Sequence, residues 1–254
     1  MTMNAFRAML LLAVLVGTAT PQAQGQGHAV RVFASNGFRG VFDELAPTCE
    51  RAIGHTLTAQ FGTSTSLTEK VNAGEAFDVA IMTTEAMEGL AKGGKVSART
   101  PLGRSGIGIG SRAGARKPDI ANAEALKKTL LAAKAITYAG DGASRPHIER
   151  MMATLGIADV MSKKTILEQG SVRSAAKVAS GDAELLITLI SEILPAPGVE
   201  LVGSLPMQFQ NYVSFAAAAG VKAANPEAGK SLISCLSGPN TAAILKAKGM
   251  EKGS

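Results

Sequence analysis

Residues 29–82 read AVRVFASNGFRGVFDELAPTCERAIGHTLTAQFGTSTSLTEKVNAGEAFDVAIM, and this stretch decides the fold class. AVRVFAS (29–35) is a β-rich run that ends in a Ser-Asn-Gly turn. FRGVFDELAPTCERAIG (38–54) places apolar residues at helical spacing and closes on Gly. HTLTAQFG (55–62) is a second strand, and LTEKVNAG (67–74) is a short helix ending in Gly. FDVAIM (77–82) is nearly all apolar, as a strand buried on both faces must be. A helix over TEAMEGLAKGG (84–94) follows. Strand and helix alternate without a linker, which predicts a parallel sheet covered by helices.

The pattern continues outward. SGIGIGS (105–111) reads as a strand, IANAEALKKTLLAAK (120–134) as an amphipathic helix, AITYAG (135–140) as a strand and HIERMMATLGI (147–157) as a helix. SVRSAAKVASG (171–181) is helical and AELLITLI (183–190) a buried strand. VELVGSLP (199–206) and YVSFAAAAG (212–220) are strands, and 226–250 forms a terminal pair of helices. The basic loop SRAGARKP (111–118) reads as a solvated turn.

Composition narrows the function. With 46% hydrophobic residues in 254, the chain can bury substantial cores and is not disordered. It has no Trp and two Tyr, which argues against aromatic stacking platforms for nucleic acid or sugar. Its 26 basic and 20 acidic residues give +6, a balance suited to an anionic ligand but too dispersed for a DNA-binding stripe. No zinc spacing, nucleotide loop or nucleophile elbow is present, and no cofactor or metal is expected.

The beginning has the form of an export signal. Arg7 precedes the apolar run AMLLLAVLVGTAT, and small residues follow, with Ala23 and Gly25 placed as at a cleavage site. The run is shorter than the roughly 18 residues of a membrane span. Residues 1–27 are therefore expected to be a signal peptide, and the protein periplasmic. Export permits a disulfide between Cys49 and Cys235. The preferred reading is two separate buried thiols packed as small hydrophobes.

Ligands of open α/β sheets bind beyond the carboxyl ends of the strands, where helix N-termini present free N–H groups. Four such junctions carry small polar residues: Ser35-Asn36-Gly37, Gly62 to Ser66 (Gly-Thr-Ser-Thr-Ser), Gly140 to Pro146, and Gly170-Ser171-Val172-Arg173. Singly, each reads as an ordinary helix cap. Together they suggest an anion site. Arg145 and Arg173 lie in first helical turns, where the dipole disfavours a cation, so each suggests an anionic ligand; the alternatives are a salt bridge to a nearby acid or an exposed side chain. Arg39 is placed similarly. His28 and His55 read as incidental; His147 follows Arg145-Pro146 and is the candidate acid or base if the protein is an enzyme.

On these residues the chain resembles the periplasmic molybdate-binding proteins and the wider class of type II solute-binding proteins of ABC transporters. VFAS (32–35), FGTSTSLTEKVNAGEAFDVAIM (61–82), SVRSAAKVASGDAELLITLISE (171–192) and SLISCLSGPNTAAILKAKGM (231–250) carry the resemblance. It implies a two-lobed α/β fold, each lobe a mostly parallel sheet, with lobe I at 28–104 and 207–254 and lobe II at 105–206. It implies ligand contacts from Ser35, Ser64 (with Thr63 or Thr65 as the alternative register), Ser144 and Val172, to which Asn36, Arg145 and Arg173 are added from the junctions. Leu189 stands where the molybdate proteins have Tyr, and Ala143-Ser144-Arg145 replaces their Pro-Ala-Gly. The expected ligand is therefore a small anion, an organic di- or tricarboxylate ahead of molybdate or tungstate. It would be captured by a monomer and delivered to a membrane permease. The aconitate isomerase-like branch of the family implies a rival reading, an allylic proton shift on the same fold.

Overall fold

The computed structural model describes residues 29–253. The expected signal peptide and His28 lie outside them. The first part of the chain holds β1 (Val30–Ser35), a 3-10 turn (Asn36–Phe38), α1 (Arg39–Ile53), β2 (Leu57–Gly62), α2 (Ser64–Asn72), β3 (Val79–Thr83) and α3 (Thr84–Lys92). Next come β4 (Thr100–Arg112), α4 (Ala123–Ala132), β5 (Ile136–Ala139), α5 (Arg145–Thr154), α6 (Ala158–Ser162), β6 (Thr165–Glu168), α7 (Ser171–Ser180), β7 (Leu185–Leu189), α8 (Ile190–Ile193) and β8 (Val199–Ser204). The chain then runs through β9 (Tyr212–Ala219), α9 (Pro226–Leu236), α10 (Thr241–Ala247) and β10 (Glu251–Lys252).

The strands lie in the order β2-β1-β3-β9-β4-β7-β5-β6, with β8 and β10 also on β4. β1 pairs in parallel with β2 and β3, and β5 with β6 and β7. Antiparallel β9 and β4 join the two parallel groups. β4 changes partners along its length: Thr100 to Gly106 pairs with β9, and Ile107 to Ser111 pairs with β7. This is a two-lobed α/β architecture with helices over the sheet.

Local chemistry explains the elements. α1 buries Val41, Phe42, Leu45 and Cys49 on one stripe and stops at left-handed Gly54. β3 and β7 are buried at every residue, which accounts for their unbroken apolar runs. The glycines of β4 allow neighbours to approach closely. A Cβ at Gly108 would stand 2.9 Å from Ile190 and 3.0 Å from the Gly203 carbonyl, and one at Gly110 would stand 2.8 Å from Val199. A side chain at either position would push β8 or α8 off the strand.

Three expectations change. The strand expected at 105–111 starts at Thr100, because β9 and β10 pair with its first half; Pro101 and the glycines hide that extension from a β-propensity reading. Ile190, expected in a strand, begins α8 instead. Cys49 and Cys235 do not remain as thiols but form a disulfide that ties α1 to α9. Packing brings the two helices together, which a spacing of 186 residues could not reveal.

Candidate functional site

The carboxyl ends of the parallel strands converge on one cleft. β1 ends at Ser35, β2 leads into Thr63 and Ser64, and β3 ends at Thr83. From the other group, β5 leads to Gly142, Ala143 and Ser144, β6 to Ser171, and β7 to Leu189 and Glu192. These residues, with Ala139 and Phe215, line an enclosed cavity of about 20 Å³. Six of them, Ser35, Thr63, Ser64, Thr83, Ser144 and Ser171, are buried hydroxyl residues. No cation lines the cavity.

The hydroxyls divide into those already engaged and those free to serve a ligand. Thr63 Oγ1 accepts from the Ser66 N–H and caps α2, while donating to Asp141 Oδ2 at 2.8 Å. Ser64 Oγ accepts from the Thr83 N–H at 3.0 Å. Ser171 Oγ donates to Glu192 Oε1 at 2.9 Å. The hydroxyls of Ser35 and Ser144, both buried, have no protein partner among the described residues. The first-turn N–H groups of α2 and α7 lack helical acceptors and add positive potential at the same place.

Asp141 ties the two halves of the cleft together. Its Oδ2 accepts from Thr63, its Oδ1 from the Gly170 N–H at 2.8 Å, and its carbonyl from Thr65 Oγ1 at 3.1 Å. Glu192 forms part of the wall and is partly buried. Thr188 Oγ1 and Ser171 Oγ both donate to its carboxyl. Enclosure by protein raises its pKa, and the charge of Asp141 adds to this. The two hydroxyls and the Leu189 backbone pull it back only in part, so the carboxyl titrates above its ordinary value.

A larger groove of about 700 Å³ adjoins the cavity and shares Ser171 and Glu192 with it. Asn36, Arg39, Asp43, Val172 and the 195–197 turn line its remainder. Arg39 lies over the Phe61 ring at 4.6 Å and reaches Asp43 at 3.4 Å.

Ser35, Thr63, Ser64 and Ser144 thus meet in the cavity, and Asn36 and Val172 in the groove. Arg145 stands elsewhere: its Nε donates to Glu149 and its Nη1 to the Gly140 carbonyl, both at 2.7 Å. Arg173 is exposed and lines neither space. His147 lines a separate pocket with Arg150 and residues 208–211. Burial and then Arg150 lower its pKa, against Glu85. Thr83, Glu192 and Phe215 are not singled out by the sequence reading. The signal available for the first two is their place just beyond apolar runs, at the same carboxyl-end rim as Ser35.

Residues 30–251 match the bacterial extracellular solute-binding proteins. The chain belongs to that family. This solute-binding protein is 31% identical over 252 residues to an aconitate isomerase of a Pseudomonas species, an alignment covering 95% of each chain. Its fold is similar to that of the Azotobacter vinelandii periplasmic molybdate-binding protein, at a TM-score of 0.76 and 18% identity over 89% of this chain and 100% of that one. It is also similar to the sulfate-binding protein SubI of Mycobacterium tuberculosis, at 0.70 and 16% over 88% and 86%.

Proposed function

We propose that the protein captures a small organic anion, a di- or tricarboxylate, between its lobes. The observation that carries this reading is the hydroxyl-lined cavity beside a groove that holds Asn36 and Arg39, the two sharing Ser171 and Glu192. One carboxylate fits the neutral donors, and the rest of a longer acid extends toward Arg39, which can bind it with paired N–H groups. An inorganic oxyanion would use the cavity alone. Leu189 and Phe215 in the wall offer such an ion no hydrogen bond.

The lobes are taken as 28–104 with 207–254, and 105–206. The partner exchange along β4 supports a hinge there, and closure would bury the ligand. Family membership supports a location outside the cytoplasm and delivery to an ABC permease, with residues 1–27 removed on export. A thermal-shift screen with molybdate, tungstate, sulfate, succinate, citrate and trans-aconitate tests the ligand class. Stabilisation by the carboxylates is expected. Stabilisation by the inorganic oxyanions alone would sink the reading.

The resemblance in sequence to an aconitate isomerase favours a second reading, catalysis at the same site. A base would take a proton from the methylene carbon of aconitate, the double bond would shift, and the proton would return to the former vinyl carbon. Glu192 is the carboxyl of the cavity wall able to move it. Incubation with trans-aconitate and chromatography of the product decides the point. Binding without formation of cis-aconitate removes this reading.

A further inference from the structure

We propose that Glu192 is a specificity-determining residue, one that makes the cleft take up its anion together with one proton. The cleft then favours anions of weak acids over those of strong acids such as sulfate. The proposal rests on the cleft being the anion site.

The geometry leaves little alternative. Glu192 lines both the cavity and the groove, so an anion that spans the two lies beside it. Two full negative charges in contact within an enclosed, poorly solvated space repel strongly. Among the described residues no cation is paired with the Glu192 carboxyl, and the one in the groove, Arg39, lies against Asp43 and would meet the far end of a longer acid. Asp141, in the loop after β5, adds a further negative charge. From α1, Arg39 is matched by Asp43. On α7, Arg173 is exposed and Lys177 is paired with Asp182, while the Ser171 hydroxyl and that of Thr188 on β7 meet the carboxyl. Of the charges on β4 and β8, Arg104 is paired with Glu251, and Arg112 and Glu200 are exposed. Arg145 is turned to Glu149.

One proton resolves the conflict. It sits on Glu192, whose carboxyl then donates to a ligand oxygen, or on the ligand, which then donates to Glu192. The surrounding hydroxyls suit both states, because each donates to a different carboxyl oxygen and a carboxyl oxygen has a second lone pair for a proton or a further donor. The raised pKa of the carboxyl lowers the cost of protonating it. A weak acid can share the proton, whereas sulfate must rely on Glu192 to supply it.

Calorimetric titration of wild type and Glu192→Gln with trans-aconitate and with sulfate, from pH 5 to 8.5 in buffers of different ionisation enthalpy, tests this. Wild type should take up about one proton more per trans-aconitate than the variant. Relative to the variant, its affinity should fall about tenfold per pH unit above the pKa of free Glu192. At the alkaline end sulfate should bind the variant more tightly than wild type. Equal proton uptake and parallel pH profiles would overturn the proposal while leaving the anion site standing. Binding of neither anion at any pH would sink the anion-site reading and the proposal with it. A carboxyl-carbon NMR titration of the unliganded wild type is independent of the variant's folding. Saturating sulfate that leaves the Glu192 titration unchanged from this unliganded one would also overturn the proposal.

Discussion

Replacing Asp141 by Ala should open the cleft. Among the described residues the Asp141 carboxylate is the one side chain that binds both Thr63, after β2, and Gly170, before α7, and each bond is 2.8 Å long. A hydrogen bond to a charged group contributes about 1.5–3 kcal/mol when its surroundings are protected from water. The Thr63 bond crosses the cleft, so its loss should shift the closed-to-open ratio by about 10- to 150-fold. The anion that stabilises the protein most in the thermal-shift screen should lose affinity in proportion to the fall in the closed fraction, by at most that factor, because only the closed form surrounds it. Small-angle scattering of the unliganded variant should show a larger radius of gyration. Thr63→Val is the companion variant: it removes the Thr63 bond and the cap on α2, and leaves Asp141 on Gly170; the Thr65 bond to the Asp141 carbonyl stays in both. If both variants keep the wild-type radius and affinity, Asp141 does not hold the cleft shut and the reasoning fails.

Reduction of Cys49–Cys235, or Cys49→Ser, should destabilise the protein by up to about 5 kcal/mol, the loop-closure value for a separation of 186 residues; urea unfolding with and without reductant measures it. Asp78 is fully buried and accepts from the Arg31, Ala224 and Asn225 N–H groups. Burial alone would raise its pKa, but these three bonds and the Arg31 charge outweigh it and bring the value below the ordinary 3.8. The stability Asp78 contributes is therefore complete above pH 3.8 and is lost as the pH falls through the lower, folded value. Acid titration of Tm should show Asp78→Asn losing that limb, and orphaned N–H groups should cost about 1–3 kcal/mol each at neutral pH. Arg145→Ala should leave anion affinity unchanged within error, since it removes only an exposed pair with Glu149 and a bond to Gly140. Ser35→Ala and Ser144→Ala should each weaken binding about three- to tenfold, read by the same calorimetry.

Order and periodicity made most of the fold legible. The apolar runs of β3 and β7, the stripe of α1 and the glycine stops act locally, so they survive in a one-dimensional reading. Where pairing depends on distant chain, that reading falls short. β4 begins at Thr100 because β9 and β10 lie beside it, and α8 forms where β7 leaves the sheet.

The site divides in the same way. Small hydroxyl residues at strand-to-helix junctions are a local signal, and Ser35, Thr63, Ser64 and Ser144 do meet in one cavity. The direction of a long side chain is not a local property. Arg145 sits in a first helical turn, as its position announced, but Glu149 one turn later and the Gly140 carbonyl take its guanidinium. Glu192 reads in the sequence as one more acid after a strand. It becomes part of the cavity wall only because α8 turns back beneath α7, where Ser171 and Thr188 meet its carboxyl. The sequence by itself determined the α/β order, the junction hydroxyls and the class of fold, because each is set by neighbours along the chain. Only the tertiary structure decided which charges face the ligand, since a charge is placed by whichever partner lies closest in space.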